Sequence, residues 1–211
     1  MLHYETISSD TLNLFKRLAS LDELSEARLA GGTALALHIG HRKSIDLDFF
    51  GHIDYSMDEL KMAMESVSSD VQPINSTKTM RFYVVEGVKI DVVNYPYSWI
   101  DESVIEDGLT LAGIEDIAAM KLAAITNRGT KKDFIDLFFL LKKYSLSQML
   151  DMYLKKYSDS QLFTVLKSLV YFVDAELDPM PHMLQDVTWK EVKEKIIVSV
   201  NDFIKIENNQ Y

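Results

Sequence analysis

Apolar residues at Leu14, Leu18 and Leu21 recur at helical spacing, and Ser9 or Asp10 stands before them as an N-cap, which predicts a helix over 10–21. The short apolar run Ala27-Arg28-Leu29-Ala30 then meets Gly31-Gly32. Thr33-Ala34-Leu35-Ala36-Leu37 consists mostly of good helix formers, with Thr33 as the candidate cap, so this stretch reads as strand, glycine turn, helix. From Ile45 to Phe50 the pattern switches to strict alternation. Ile45, Leu47 and Phe49 fall on one face and Asp46 and Asp48 on the other, as in a half-buried strand.

Ser56 followed by Glu59 is a capping-box signature that opens a helix to about Val67. Met80 to Val85 and Val88 to Val93 are two β-rich runs joined by Glu86-Gly87, the pattern of a hairpin with a two-residue turn. On the second run Ile90 and Val92 point one way and Lys89 and Asp91 the other; Tyr95-Pro96 ends it. From Ile114 onward the periodicity is helical, over Ile114 to Thr126, Lys131 to Tyr144, a segment capped at Ser147, Gln161 to Asp174, and Trp189 to about Ile206. Asp178-Pro179-Met180-Pro181 breaks that series. The expected fold is therefore α+β: a mixed β-sheet core with helices over 1–112, followed by a helical region over 113–211.

Composition narrows the function classes. The chain of 211 residues is 47% apolar and 26% charged, as in ordinary globular proteins. It has no cysteine, which excludes disulfides, thiolate metal sites and cysteine nucleophiles, and fits a reducing compartment. The first residues, Met1-Leu2-His3-Tyr4-Glu5, lack a basic n-region and an apolar h-region. No run approaches the roughly 18 apolar residues that span a bilayer, so a cytoplasmic protein without a membrane partner is expected. A net charge of −10 argues against coating nucleic acid by bulk attraction. Basic residues do cluster locally, at His41-Arg42-Lys43, at Lys78, Arg81 and Lys89, and at Arg128, Lys131 and Lys132. Such clusters suit a local groove for a nucleic acid, and equally suit solvated helix faces.

Two carboxylates two positions apart on a strand share a face, about 7 Å apart along the chain. Asp46 and Asp48 there repel one another, and a hard cation with oxygen ligands offsets that repulsion while leaving sites open for phosphates. A solvated edge strand accounts for the same two residues. Asp91 changes the balance, because it lies on another predicted strand. If the two strands are neighbours, three carboxylates converge in the layout of metal-assisted phosphoryl or nucleotidyl transfer. Gly31-Gly32-Thr33 precedes a helix whose N-terminal amides and dipole attract phosphate, although a Gly-Gly also serves as a plain tight turn. It matches neither a P-loop nor a dinucleotide fingerprint. Arg42 and Ser44 flank the carboxylate strand and are placed to bind phosphate. Arg128 and Lys132 share a face if one helix carries both. His38 and His41 lack the further ligands that zinc requires, and His41 reads as a surface or phosphate-proximal residue.

The run Gly31 to Leu37 followed by His41-Arg42-Lys43-Ser44-Ile45-Asp46-Leu47-Asp48-Phe49-Phe50 resembles the signature of the AbiEii/AbiGii toxin family, within the DNA polymerase β-like nucleotidyltransferases. Asp116-Ile117-Ala118-Ala119-Met120-Lys121-Leu122 and Arg128 to Leu137 are similar to the family's second signature, and Lys89-Ile90-Asp91 lies between the blocks. The resemblance covers about 28–142. It implies that Gly31, Gly32 and Thr33 form a nucleotide-binding loop, that Asp46 and Asp48 hold Mg²⁺ or Mn²⁺, and that Asp91 is a third metal ligand that activates the attacking hydroxyl. Lys121 and Asp133 match the helical motifs, with Lys121 suited to a triphosphate. The activity implied is transfer of a nucleoside monophosphate from a nucleoside triphosphate to RNA, such as a tRNA 3′ end, by the toxin of a toxin–antitoxin or phage-defence pair with a cognate antitoxin as partner. Transfer to a protein hydroxyl, or a silent nucleotide- or partner-binding module, would use the same residues.

Overall fold

A computed structural model describes residues 1–208 of the chain. The chain divides into two compact units: Met1–Ser98 with Glu102–Gly113, and Trp99–Asp101 with the chain from Ile114 onward. The first unit is built on one seven-stranded mixed sheet with the order β3-β4-β5-β2-β1-β7-β6. In chain order it runs α1 (Ser9–Ala19), β1 (Arg28–Ala30), α2 (Gly31–Ile39), β2 (Leu47–Gly51), α3 (Met57–Glu65), β3 (Val71–Ser76), β4 (Met80–Val85), β5 (Val88–Asn94), β6 (Val104–Glu106) and β7 (Leu109–Leu111). β1 pairs antiparallel with β2 and parallel with β7, while β2 and β5 run parallel.

The alternation read from the sequence sets the two faces of the central strands. Leu29, Leu47, Phe49, Ile90, Val92 and Tyr83 are buried on one face, together with Leu14, Phe15 and Leu18 of α1. Phe15 meets Phe49 edge-on at 5.8 Å. The hairpin forms at Glu86-Gly87, where both residues take positive φ (51° and 77°), the backbone that matches the strand twist across a two-residue loop. The capping box at Ser56 and Glu59 is present with both of its hydrogen bonds. β3, β6 and β7 carry too little alternation to be read from the sequence. β3 is an exposed edge strand interrupted by Pro73, and β6 and β7 are three residues each.

Three sequence expectations shift. Ile45 does not join the core; it is 66% exposed and the strand starts at Leu47. The preceding backbone is tied elsewhere, Ser44 N–H to the Thr6 carbonyl and the Asp46 carbonyl to the Thr33 hydroxyl, so no ladder extends to it. Thr33 is not the cap of α2. The helix starts at Gly31, and Ala30 at the N-cap position offers no side-chain oxygen. Ser145 rather than Ser147 caps the helix that follows it, in a capping box with Gln148.

The helical unit comprises α4 (Ile114–Asn127), α5 (Lys131–Leu140), α6 (Leu146–Lys156), α7 (Leu162–Leu169) and α8 (Trp189–Asn208). α7 stops five residues short of the predicted Asp174, which instead opens a 3₁₀ turn, Asp174–Leu177. α4 is the central element and packs on α5, α6 and α7, with Ile117, Ala118, Ala119, Leu122 and Ile125 buried. Phe134, Phe172 and Trp189 form an aromatic cluster with centroids 5.0–5.9 Å apart. The Asp116 carboxylate anchors this unit. It accepts from Ile100 N–H (2.9 Å), Asp101 N–H (3.0 Å) and Lys156 Nζ (2.6 Å), both side chains being fully buried, and the Lys156 ammonium lies 4.6 Å from the Trp99 ring centre. Among the described residues no helix is long and apolar enough to cross a membrane.

Removing one partner of a buried ion pair strands the other charge, which typically costs about 3–5 kcal/mol. Asp116→Ala is therefore expected to lower the unfolding free energy by roughly that amount, read by urea denaturation. An effect below about 1 kcal/mol would show that the pair is dispensable.

Candidate active site

The parallel pairing of β2 and β5 sets Asp48 directly opposite Asp91, and the antiparallel pairing of β1 sets Ala30 against Asp48 on its other side. Neighbouring strands lie about 4.8 Å apart, so two carboxylates are brought to one face of the sheet, opposite the apolar face. Asp91 is 9% exposed. Its Oδ2 accepts from Lys89 Nζ at 2.6 Å, and its Oδ1 is buried without a partner. Like charges in this position destabilise the sheet unless a cation intervenes, and Lys89 supplies one.

Gly31 explains why the glycine pair is needed. Its φ of +68° is a left-handed backbone, and a Cβ built there would lie 2.4 Å from Asp48 Oδ2. The start of α2 therefore sits against the Asp48 carboxylate, at a distance only glycine permits. Ala30, at the N-cap position, makes no side-chain hydrogen bond to the first amides of α2. Thr33, almost fully buried, donates its hydroxyl to the Asp46 carbonyl and lies 2.8 Å from Ser44 Oγ. Arg42 Nη1 donates to the Lys43 carbonyl (3.0 Å) and to Ser44 Oγ (3.3 Å), and Arg42 is itself buried. These bonds fix the loop that leads into Asp46, which is partly exposed immediately before β2. Arg42, Ser44 and Thr33 thus hold the loop in place through one another. His41 is fully buried beneath it, not on the surface, and His38 Nε2 donates to the Ala112 carbonyl at 2.9 Å.

Asp48 and Asp91 fit a divalent cation: two carboxylates face one another in register, and one buried oxygen is unpartnered. Among the described residues no group of three or more His, Asp or Glu side chains is already gathered around a common point. The carboxylates that stand together are this pair, with Asp46 beside them in the chain. Arg81 opposes Val92 and so lies on the face away from Asp91, while Lys78 is exposed in the β3–β4 turn.

The helical unit keeps its own charged cluster. Lys121, 4% exposed, donates to Asp133 Oδ1 (3.0 Å) and pairs with Asp136 Oδ2 (2.6 Å), both carboxylates being buried. Asp133 Oδ2 accepts from Thr130 Oγ1 (2.7 Å) and Arg128 Nε (3.2 Å). Burial pushes the Asp133 pKa up, but Lys121, Arg128 and the Thr130 hydroxyl outweigh it and hold the carboxyl at about 2. Arg128 lies past the end of α4 and Lys132 is on α5, so no single helix carries both. Lys132 is exposed. Lys131 is buried instead, its Nζ donating to the carbonyls of Glu176 and Asp178. The commitments of Lys89 and Lys131 to nearby acceptors are what the basic clustering in the sequence left invisible.

A family model for the nucleotidyl transferase AbiEii toxin, type IV toxin–antitoxin system, matches residues 14–207. The chain belongs to the AbiEii nucleotidyltransferase toxin family. It is 33% identical over 197 residues to the uncharacterized protein aq_aa25 of Aquifex aeolicus (strain VF5), covering 90% of this chain and 94% of that one. The crystal structure of JHP933 from Helicobacter pylori superposes with a TM-score of 0.59 at 25% identity, over 97% and 96% of the two chains. MenT4, a nucleotidyltransferase toxin from Mycobacterium tuberculosis, shares the fold with a TM-score of 0.53 at 16% identity, over 95% and 86%. In this family member Gly31, at the start of α2, lies against the Asp48 carboxylate within the sheet unit.

Two outcomes test these placements. Gly31→Ala is expected to cost about 2 kcal/mol or more, because strain at positive φ adds to the clash with Asp48, whereas Gly87→Ala, with open space around it, pays only the backbone strain of about 1–2 kcal/mol. Thermal melts of both variants compare them; equal losses would mean that Gly31 does not lie against Asp48. Because folding lowers the Asp133 pKa, its contribution is full above the ordinary carboxylate range and is lost as pH falls from about 4 towards about 2. It amounts to about 2 kcal/mol, so Asp133→Asn should flatten the fall in stability across that window, as followed by denaturation at stepped pH.

Proposed function

We propose that this nucleotidyltransferase moves a nucleoside monophosphate from a nucleoside triphosphate to a hydroxyl of RNA, with Mg²⁺ or Mn²⁺ held by Asp48 and Asp91 and by Asp46 beside them. The observation that carries the reading is the Asp48–Asp91 pair, opposed in register with a buried, unpartnered Asp91 Oδ1 and with the start of α2 pressed against Asp48. A divalent cation bound there offsets the negative charge of the phosphates and polarises the α-phosphorus. The chain itself supplies the rest. The amides at Gly31, Gly32 and Thr33, to which the N-cap Ala30 offers no side-chain bond, bind phosphate oxygens with the dipole of α2 behind them. The Asp91 carboxylate accepts the proton of the attacking hydroxyl. The new bond joins that oxygen to the α-phosphorus, the bond to the β-phosphate breaks, and pyrophosphate leaves. Positioning and charge stabilisation do most of the work, since no covalent intermediate is needed.

In this scheme Lys121, Asp133 and Arg128 act within the helical unit. The two buried carboxylates around Lys121 fix its ammonium, and Asp133 fixes Arg128 through its Nε. Arg128 and Lys132 then serve as exposed cations for phosphate. An RNA acceptor suits these side chains despite the acidic whole, because phosphate contacts depend on local charge. The toxin family also carries the expectation of a cognate antitoxin that restrains the activity.

Incubation with each labelled nucleoside triphosphate, Mg²⁺ and either total RNA or a protein lysate tests the proposal. Label is expected in the RNA fraction, and Asp48→Ala is expected to reduce it by at least a hundredfold, on the scale of removing one preorganised charge-stabilising group, while the fold is kept. Label in protein alone would replace the acceptor. Unchanged transfer by Asp48→Ala would overturn the site.

A further inference from the structure

The sheet face that carries Asp48 and Asp91 continues past the carboxylates as a series of aromatic rings. Phe50 follows Asp48 by two residues and shares its face, with Val93 opposite it in register. Tyr95 extends the alternation Asp91, Val93 beyond the strand, anchored by its N–H on the Gly51 carbonyl at 2.8 Å. Its ring meets Phe50 edge-on, with centroids 5.2 Å apart and planes at 89°. Tyr97 meets Tyr95 in turn, at 5.1 Å and 61°. Phe50 and Tyr95 remain partly exposed and Tyr97 is 46% exposed. Along the strands, Phe50 lies about 7 Å and Tyr95 about 13 Å from the carboxylate row.

We propose that the Tyr97 ring, supported edge-on by Tyr95 and through it by Phe50, is a stacking platform for a nucleobase of the molecule whose phosphate or terminal hydroxyl is held at Asp48 and Asp91. The inference rests on the nucleotidyl-transfer reading and specifies where the base of its substrate goes. The distances suit a nucleotide, in which phosphate and base are separated by one sugar. Stacking on aromatic rings accepts any base, because every base presents a π-face. The phenol hydroxyls of Tyr95 and Tyr97 allow one edge of each ring to stay wet while a face is covered. An apolar protein surface laid on these rings would bury the adjacent carboxylates without supplying the phosphate chemistry they suit. The base belongs either to the free nucleoside triphosphate or to the end of the RNA strand.

Calorimetric titration in the presence of Mg²⁺ separates the cases, using wild type, Tyr97→Ala and Tyr97→Phe with inorganic tripolyphosphate, each nucleoside triphosphate, and a single-stranded RNA oligonucleotide. Tyr97→Ala is expected to weaken at least one base-bearing ligand about tenfold, with tripolyphosphate unaffected and Tyr97→Phe behaving as wild type. The ligand class that loses affinity identifies the source of the base. Equal affinity of Tyr97→Ala and wild type for every base-bearing ligand, with tripolyphosphate still bound, overturns the platform and leaves the transfer reading standing. Loss of tripolyphosphate binding by Tyr97→Ala also overturns it, by assigning Tyr97 to the phosphate site. Failure of the wild type to bind tripolyphosphate or any nucleotide overturns both.

Discussion

Two carboxylates set side by side on parallel strands are the constraint around which the sheet unit is arranged. Asp48 and Asp91 would be harmless on separate edge strands, where water screens each of them. In register on β2 and β5, with Asp91 nearly buried, their repulsion has to be met by neighbouring charge. Lys89 meets part of it from the same strand, taking one oxygen of Asp91 and leaving the other unpartnered. A cation with open coordination sites meets the rest in the proposed mechanism. In the proposed mechanism the repulsion within the pair and its chemistry thus have a single origin.

The surroundings of this pair are organised by contacts that reach it through the backbone. Gly31 lets the first turn of α2 lie against the Asp48 carboxylate. The side chains of Thr33, Ser44 and Arg42 bond to one another and to carbonyls of the loop before β2, so the loop has little freedom. Their residue types suggest phosphate ligands, yet Thr33 and Arg42 are buried and already committed to these bonds. Buried polar groups are retained when they are satisfied, and a satisfied network makes a loop rigid. In the helical unit, Asp116 and Lys121 follow the same logic. Each lies on α4, and each holds neighbouring elements through short ion pairs between buried side chains.

Much of this was legible in the chain because the signals are local. Alternation at Leu47 to Phe50 identified the strand and its polar face, and the Ser56–Glu59 spacing identified a helix start. Glu86-Gly87 identified the hairpin. The failures are equally physical. Ile45 continued the alternation but had no neighbouring strand to pair with, since the Thr33 hydroxyl and the Thr6 carbonyl take the backbone groups on either side of it. Lys131 looked like part of a basic groove but is buried against Glu176 and Asp178, which lie far along the chain. A pattern of charge says which residues are basic, not which acceptors they will meet.

By itself, the sequence determined the α+β character, the faces of the central strands, the glycine-to-helix junction and the place of Asp48 and Asp91 on polar strand faces. Those properties depend on backbone preference and on side-chain period, which adjacent residues specify. The tertiary structure alone decided that β2 lies beside β5 with Asp48 opposite Asp91, although α3, β3 and β4 intervene in the chain. It alone decided that Asp91 keeps one oxygen unpartnered, that Lys121 is enclosed by two carboxylates, and that Phe50, Tyr95 and Tyr97 line up beyond the acidic pair. Strand neighbours and registers are set by the burial of whole faces against one another, a non-local balance that no short stretch of sequence contains.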